Sequence, residues 1–497
     1  MISPTSLPSG DALRDICVTE LLLDDISKPY IRKLLRAKTY RALLPEAVLQ
    51  DLGSTLGGCL DGLLVKLLSS APPNSVHHYV ASQYPSLFTT NFDLCLEQCA
   101  ASRVHHLHGS IAQPESLQNR LYRLGKTSSA QMRLFGRTIS RKPLLVLGYS
   151  LRDTDVVDAI RQNGPSEIFY LARSGTVPAN YARLNAAVYV APGSAQDLFN
   201  VRVRGRSRAI PTKNLIRQPS VQRRANALER LCFRAAQYEL EVAVVTAYLP
   251  LLRGRSRVQA LCGLANTLRV MGQFDDAVNV CRTVIKSAAA RKPENGDVLS
   301  TAYVVLGLCD LDSEKGNYRE IEKSFRVGLA IFEKLLAREK HSQQSVENDI
   351  WRARIFNNLG LVAAAQGRYN RAIKYYLRSC ALKRRHFEEY GLAQTTSNLA
   401  KTYIAMDQLK LAADCLDQVA SWMEKIPDPY ICGDAILEVL QALQRRGLIK
   451  MPANRVRNAA SQSATWWGRQ ATRAHPKVHR IMGTLAQLRR ILSTIES

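Results

Sequence analysis

The chain has 497 residues, beyond the size at which a single hydrophobic core keeps growing, so two or three domains are expected. A hydrophobic fraction of 46% excludes wholesale disorder, and no run approaches the roughly 18 consecutive apolar residues that a membrane helix needs. The formal net charge of +26 draws the chain toward nucleic acid, anionic lipid or an acidic ligand.

The start of the chain has no basic stretch followed by an apolar core, the mark of a secretory leader. Eleven cysteines stand singly without a Cys-x-x-Cys pair, and the closest two, Cys95 and Cys99, lie one helical turn apart. Such a set fits thiols in a reducing cytoplasm, each read first as a small buried hydrophobe.

Residues 11–82 read as mostly helical. Leu21, Leu22 and Leu23, then Ile31, Leu34 and Leu35, then Leu60, Leu63, Leu64 and Leu67 recur at helical spacing. Pro72-Pro73-Asn74 breaks the pattern before a further helix. From there to about residue 200, short apolar runs alternate with amphipathic stretches, as in an α/β domain. Four runs read as buried parallel strands, at 86–90, 144–147, 168–171 and 187–190. Amphipathic stretches at 93–101 and 153–162 lie between them.

A basic stretch follows, holding Arg202, Arg204, Arg206, Arg208, Lys213, Arg217, Arg223 and Arg224 together with Gly205 and Pro211. It reads as a solvated interdomain connector, with a phosphate-binding strip as the alternative. No aromatic residue interleaves the arginines, so single strands have no stacking platform there.

Beyond about residue 220 the strand signals end and a repeat begins. Leu264, Ala265, Leu268, Gly272, Phe274, Ala277 and Cys281 share one internal spacing with Leu359, Gly360, Ala363, Gly367, Tyr369, Ala372 and Tyr376. The same spacing recurs at Leu399, Ala400, Tyr403, Asp407, Leu409, Ala412 and Leu416, and a looser copy holds Gly316, Tyr318, Ile321 and Phe325. Small residues at Ala265, Gly360 and Ala400 let one helix sit close to the next. Gly272, Gly316 and Gly367 turn the chain, because glycine adopts left-handed backbone angles without cost. One such hairpin cannot bury its apolar face alone, so the copies must stack. The pattern resembles tetratricopeptide repeats in a longer-hairpin form. A degenerate first hairpin is expected at 221–251, and a helical cap past about 430 with Trp466 and Trp467 packed in it.

The chemistry-bearing residues lie in the first part. Thr89-Thr90-Asn91-Phe92-Asp93 follows a strand, at the end where open α/β sheets bind ligands. His105-His106-Leu107-His108-Gly109-Ser110 comes some fifteen residues on, and Gly148-Tyr149-Ser150-Leu151-Arg152-Asp153 ends the next strong strand. Three polar loops at strand ends are expected to line one crevice. Each alone also reads as an ordinary strand end or a helix cap with Asn91 or Asp93 as the cap.

As an ordered set, these loops resemble the sirtuin-like family of NAD-consuming domains, in its prokaryotic branch of NAD hydrolases used in anti-phage defence. The resemblance runs from about residue 1 to 205. It includes Pro73-Asn74 with His77, the Thr-Thr-Asn-Phe-Asp loop, the Leu-His-Gly turn, the Gly-Tyr-Ser loop, and Pro192-Gly193-Ser194 continuing to Phe199.

The resemblance implies a Rossmann-type α/β fold, with Asn91 and His108 catalytic. It assigns Thr89, Thr90, Phe92, Asp93, Gly109, Gly148, Tyr149, Ser150 and Asp153 to the NAD site. His105 and His106 do not match the motif and are read as structural. Residues 1–10 resemble the segment just after the family's first strand and glycine loop. Both are therefore expected to be missing from this sequence, either because the true start lies upstream of Met1 or because the domain is truncated and inactive, with Ser3 matching the serine that follows the glycines. Protein-deacetylating sirtuins carry a four-cysteine zinc module whose Cys-x-x-Cys pairs this chain lacks, which favours NAD hydrolysis and implies no metal.

The expected architecture is an α/β sirtuin-like domain at residues 1–203, a basic connector at 204–222, an all-α tetratricopeptide-like solenoid at 223–430 and a helical cap at 431–497. The expected function is an NAD hydrolase regulated through its repeats. Its partners are a protein or peptide trigger on the repeats, further copies of the chain, and nucleic acid through the connector, with no membrane. The alternative is an inactive domain on a repeat-based interaction scaffold.

Overall fold

The structure, a computed structural model, describes residues 10–41, 43, 45–69, 71–113, 129–147, 154–172, 184, 186–200, 218–235, 237–287, 289–313, 316–338, 344–385 and 389–425. Ser3, Gly148, Tyr149, Ser150, Asp153, connector residues 204–217 and the cap at 431–497 lie outside the described residues. The described chain divides into two units, with the boundary between Leu231 and Cys232.

The described part of the first unit begins with six helices: α1 (Gly10–Leu22), α2 (Lys28–Arg36), α3 (Lys38–Arg41), α4 (Pro45–Leu56), α5 (Gly58–Ser69) and α6 (Ser75–Gln83). Apolar residues one turn apart explain the packing. α1 buries Leu13, Cys17, Val18 and Leu21, and α5 buries Leu60, Leu63, Leu64 and Leu67. A buried guanidinium ties α1 to the α3–α4 connection. Arg14 donates to Asp15 at 2.8 Å, Asp11 at 3.0 Å and the Leu43 carbonyl at 3.0 Å, and lies over the Tyr40 ring. α6 begins where Asn74 caps it, accepting from the backbone N–H groups of Val76 and His77 at 3.0 and 3.2 Å.

Among the described residues five short strands follow: β1 (Leu87–Thr89), β2 (Val104–His106), β3 (Leu144–Leu147), β4 (Glu167–Ala172) and β5 (Ala187–Pro192). Between and after them lie α7 (Glu97–Ala100), α8 (Ser129–Ile139), α9 (Thr154–Asn163) and α10 (Ala195–Leu198). All pairings between the described strands are parallel. β1 pairs with β2, and the order of the other three is β3-β4-β5. β2 has no counterpart among the strands expected from the sequence, because Val-His-His carries only one apolar residue.

Alternate strand residues enter two apolar cores. Leu87, Leu147, Leu171 and Ala191 pack with Val76, Val80 and Ala195 of α6 and α10. Phe88, Val146, Ile168, Tyr170 and Val190 pack with Phe135, Ile139, Val156 and Ile160 of α8 and α9. Both faces of the strands are thus covered, as parallel sheets require. This is the α/β layering expected of a Rossmann-like region, although its described strands form two small sheets.

α11 (Val221–Arg234) spans the unit boundary. Arg224, grouped by sequence with the solvated connector, instead forms an ion pair with Asp24 at 3.2 Å, and Arg230 donates to Ser54 at 2.8 Å. An amphipathic helix starting at Val221 turns these arginines onto the N-terminal helices.

The second unit is wholly helical among its described residues: α12 (Tyr238–Tyr248), α13 (Gly254–Val270), α14 (Phe274–Lys286), α15 (Gly296–Asp312), α16 (Tyr318–Arg338), α17 (Gln344–Ala365), α18 (Tyr369–Arg385), α19 (Glu389–Ala405) and α20 (Leu409–Lys425). Three of its hairpin turns are superimposable in their bonding. Gln273, Arg368 and Gln408 donate their N–H to the carbonyls of Leu268, Ala363 and Tyr403 at 2.8–2.9 Å. Gly272, Gly367 and Asp407 donate to Arg269, Ala364 and Ile404 at 2.9–3.0 Å. These six-to-one and five-to-two bonds define the left-handed helix stop, and the three central residues sit at φ 80°, 71° and 61°. Gly316 answers a packing constraint instead: a Cβ there would lie 2.8 Å from the Asp310 carbonyl oxygen.

Apolar side chains then fill the hairpins. Ala363, Ala372, Tyr376, Ala400, Ala412 and Leu416 form one core cluster; Val304, Ile321, Phe325, Phe332, Ile355 and Phe356 belong to another. A buried polar seam joins α17, α18 and α19. Asn398 donates to Asn357 at 3.0 Å, Ser379 donates to the Ala353 carbonyl at 2.7 Å, and the Lys383 ammonium donates to Gly391 and Thr395 at 2.8 and 2.7 Å. No described helix is long and apolar enough to cross a membrane.

Candidate functional site

The parallel register Leu87↔Val104, Phe88↔His105, Thr89↔His106 decides where the site residues fall. Asn91 lies two positions past the end of β1, and His108 two positions past the end of β2. Their loops therefore leave the same end of the same strand pair. Two backbone bonds lace those loops together: the Leu107 N–H donates to Thr89 at 2.8 Å, and the Ile111 N–H to Phe92 at 3.0 Å.

Within the first loop the Asn91 N–H donates to the Thr89 hydroxyl at 3.0 Å, which fixes the turn and leaves the Asn91 side chain exposed. Thr89, Thr90 and Phe92 are half-buried. Asp93 is buried, and its carboxylate accepts the Cys95 N–H at 3.0 Å. In the second loop His108 is buried at 4% exposure, and Gly109 follows at φ 88°, a left-handed angle that lets the chain turn sharply beside the imidazole.

A third segment, Ala71 to Asn74, closes against the first loop. The Cys95 thiol reaches the Ala71 carbonyl at 3.6 Å, and the Gln98 amide reaches it at 3.4 Å. Asn74 and His77 are both buried. The Asn74 N–H donates to His77 Nδ1 at 3.0 Å, so the neutral ring carries its proton on Nε2. Burial pushes the His77 pKa down; the charge of Asp93 opposes that shift and His78 adds to it. The Asn74 Nδ2 group is buried without a hydrogen-bond partner, a donor that a polar ligand would satisfy.

His105 and His106 fall outside the family motif and read from the sequence as structural. His105 does stack on Phe88, with ring centroids 5.1 Å apart. His106 does more. Its Nδ1 lies 2.7 Å from the Asn91 carbonyl oxygen, and its Nε2 bonds the Glu97 carboxylate. A carbonyl oxygen on one ring nitrogen and a carboxylate on the other form an arrangement that favours the doubly protonated ring. Burial lowers its pKa, but the bond and charge of Glu97 outweigh it, the Asn91 carbonyl and Asp93 add to the rise, and the net direction is up. His106 thus clamps the backbone of the loop that carries Asn91. Only the pairing of β1 with β2 reveals this contact.

Gly148, Tyr149, Ser150 and Asp153 lie outside the described residues, so the described site comprises the first two strand-end loops and the Ala71–Asn74 segment. Among the described residues no group of three or more histidine, cysteine or acidic side chains forms a metal cage.

Residues 100–166 match the family model of a SIR2-like domain, which takes in His108, Gly109 and β3. Residues 351–425 match that of a tetratricopeptide repeat, covering most of α17 through α20. The chain therefore joins a SIR2-like domain to tetratricopeptide repeats, and a SIR2-like domain implies NAD-related chemistry.

No curated protein matches the chain. Among solved structures it is similar to a Rap protein complexed with competence and sporulation factor, at 12% identity over 56% of this chain and 75% of that one, with a TM-score of 0.39. It is similar to BtubC from P. vanneervenii at 17% identity over 46% and 87%, with a TM-score of 0.34. Kinesin light chain repeats from Podosopora anserina are similar at 17% identity over 45% and 100%, with a TM-score of 0.33.

Proposed function

We propose that the chain hydrolyses NAD to nicotinamide and ADP-ribose, under control of a protein or peptide trigger held by its repeats, as an anti-phage defence enzyme of the bacterial cytoplasm that assembles as a homo-oligomer. The observation that carries this reading is the in-register pairing of β1 with β2, which sends the Asn91 and His108 loops out of one end of one strand pair.

In this reading the bond from nicotinamide to the ribose C1′ breaks, and its electron pair leaves with nicotinamide, which becomes neutral. The carbon left behind is oxocarbenium-like, and a water oxygen bonds to it. His108 takes the proton that water loses, the general-base role open to an imidazole. Asn91 holds the ribose hydroxyls or the water without titrating. Asp93 offsets the developing positive charge from a buried position, where charge interactions are strong. The orphan Nδ2 of Asn74 supplies a donor to a sugar hydroxyl or phosphate oxygen. His106, itself anchored by Glu97, holds the Asn91 backbone and does not touch substrate.

The test is NAD consumption by the full chain, followed by nicotinamide release. His108→Ala and Asn91→Ala are each expected to lower turnover by at least about 100-fold, the scale of a lost acid–base group. Undiminished turnover in both variants, or a wild-type chain that neither binds nor cleaves NAD, would overturn the reading.

A further inference from the structure

α18 differs in charge from the helices that follow the same chain pattern. Residues 350–387 hold nine Lys and Arg and no Asp or Glu. α16 mixes Arg319, Lys323, Arg326 and Lys334 with Glu320, Glu322 and Glu333, and α20 mixes Lys410 and Lys425 with Asp414, Asp417 and Glu424. A face that only needs to be wet alternates sign in this way. A helix of one sign carries like charges at neighbouring turns, which weakens it.

Some of the α18 charge is structural. Lys383 is 1% exposed and bonded to Gly391 and Thr395. The rest forms a row. Arg371, Lys374, Arg378 and Arg385 fall within an arc of about 60° and along ~21 Å of helix. Lys374 and Arg378 are exposed, and Lys374 makes no ion pair among the described residues. Arg378 rests over the Phe356 ring at 6.0 Å. Arg385 is 71% exposed and only 3.9 Å from Asp349, a carboxylate that Arg352 shares at 3.8 Å.

At the N-terminal end of the row, Arg326 and Arg368 join Arg371 around one carboxylate. Glu322 accepts from them at 2.8, 2.7 and 3.1 Å. Three guanidiniums on one acid leave two positive charges uncompensated. The row holds no apolar anchor within its arc: Tyr375 and Leu382, on one flank, pack into the core, and the half-exposed Leu377 lies about 60° beyond Lys374 on the other. Insertion into lipid and docking of a protein hot spot both need such an anchor, and single strands need exposed aromatics. A duplex backbone needs only a line of cations.

We propose that this face of α18, with Arg326 and Arg368 at its end, binds the phosphodiester backbone of double-stranded nucleic acid without regard to base sequence. The surface shares no residue with the NAD site, and the proposal stands whether or not that site cleaves NAD.

The test is fluorescence anisotropy of the full chain with duplexes of about 20 base pairs, one of DNA and one of RNA, across a salt series. The variant Lys374→Glu/Arg378→Glu/Arg385→Glu should bind at least tenfold more weakly and lower the log–log salt slope by about 3, since each phosphate contact contributes roughly 0.9. Lys286→Glu/Lys292→Glu/Lys334→Glu removes the same charge from exposed positions elsewhere in the unit and should change binding less than about twofold. Equal affinity for DNA and RNA assigns the shared backbone; tighter binding of one names the source. Equal losses in the two triple variants, no duplex binding, or displacement of duplex by polyglutamate or phosphatidylserine vesicles at lower charge concentration would each overturn the proposal. Thermal unfolding of both variants checks that the exposed reversals leave the fold intact.

Discussion

The two units solve the problem of turning a chain in opposite ways. The helical unit uses one turn three times, with the same bond pattern at Gly272, Gly367 and Asp407. The α/β unit uses each of its turns once, and the turns that matter most, after Thr89 and His106, are held by bonds between segments distant in sequence. A repeated solution shows itself by recurrence. A singular one becomes visible only when its distant partners are brought together. Damage should differ accordingly: in the α/β unit it should appear as lost chemistry, in the helical unit as lost stability.

The largest expected effect is chemical. His108→Ala should cost at least about 100-fold in NAD cleavage while the unfolding of the helical unit stays unchanged. A variant that instead unfolds the helical unit, read by far-UV circular dichroism, would break the contrast. Next comes the helical core. Phe325 is fully buried, and Gly307 sits so close to its ring that a Cβ there would lie 2.8 Å away. Phe325→Ala should destabilise the unit by about 3–5 kcal/mol in urea unfolding. A loss under about 1 kcal/mol would mean that the site collapses without a cavity.

The polar seam ranks third. Asn398→Ala strips the Asn357 carbonyl of its donor in a buried place and should cost about 1–3 kcal/mol. Replacing both asparagines with leucine removes the orphan and should cost less than the single change. The turns rank below that. Gly367→Ala puts a Cβ at φ 71° and should destabilise by about 1 kcal/mol, whereas Asp407→Gly relieves the same strain at φ 61° and should be neutral or mildly stabilising. If both changes shift stability in the same direction, the two turns are not equivalent.

What the sequence made legible follows the same division. The three turns could be read because the left-handed angle restricts the residue type and the spacing repeats. β3, β4 and β5 could be read because each is a run of apolar residues bounded by proline or glycine, though β4 and β5 extend beyond the expected runs to Ala172 and Pro192. β2 could not: Val104-His105-His106 has no strand pattern of its own and becomes a strand by pairing with Leu87-Phe88-Thr89. The contact of His106 with Glu97 was hidden for a related reason, since nine residues is no period of helix or strand. Gly316 was read as a turn glycine when packing against Asp310 suffices to require it. Arg224 was read as solvated because a basic run carries no sign of the single acid, Asp24, that one of its members meets.

The smallest expected effect separates two histidines of the same unit by pH. His106 has its folded pKa raised, by Glu97 against burial, so its contribution to stability is fully present below the unfolded value of about 6.5 and is lost as pH rises through the folded value. His77 has its folded pKa lowered by burial, so its neutral ring contributes above about 6.5 and that contribution is lost as pH falls through the folded value. The two windows lie on opposite sides of the same reference. In urea unfolding from about pH 5 to 8.5, the stability deficit of His106→Gln should shrink as pH rises, and that of His77→Gln should shrink as pH falls. The groups facing His106 are Glu97 and Asp93, so Glu97→Gln should reproduce the His106→Gln profile, because the glutamine carbonyl still accepts while its charge is gone. A deficit for His106→Gln that grows with pH would mean the ring is neutral in the folded chain, and the loop carrying Asn91 would then be held without the imidazolium clamp.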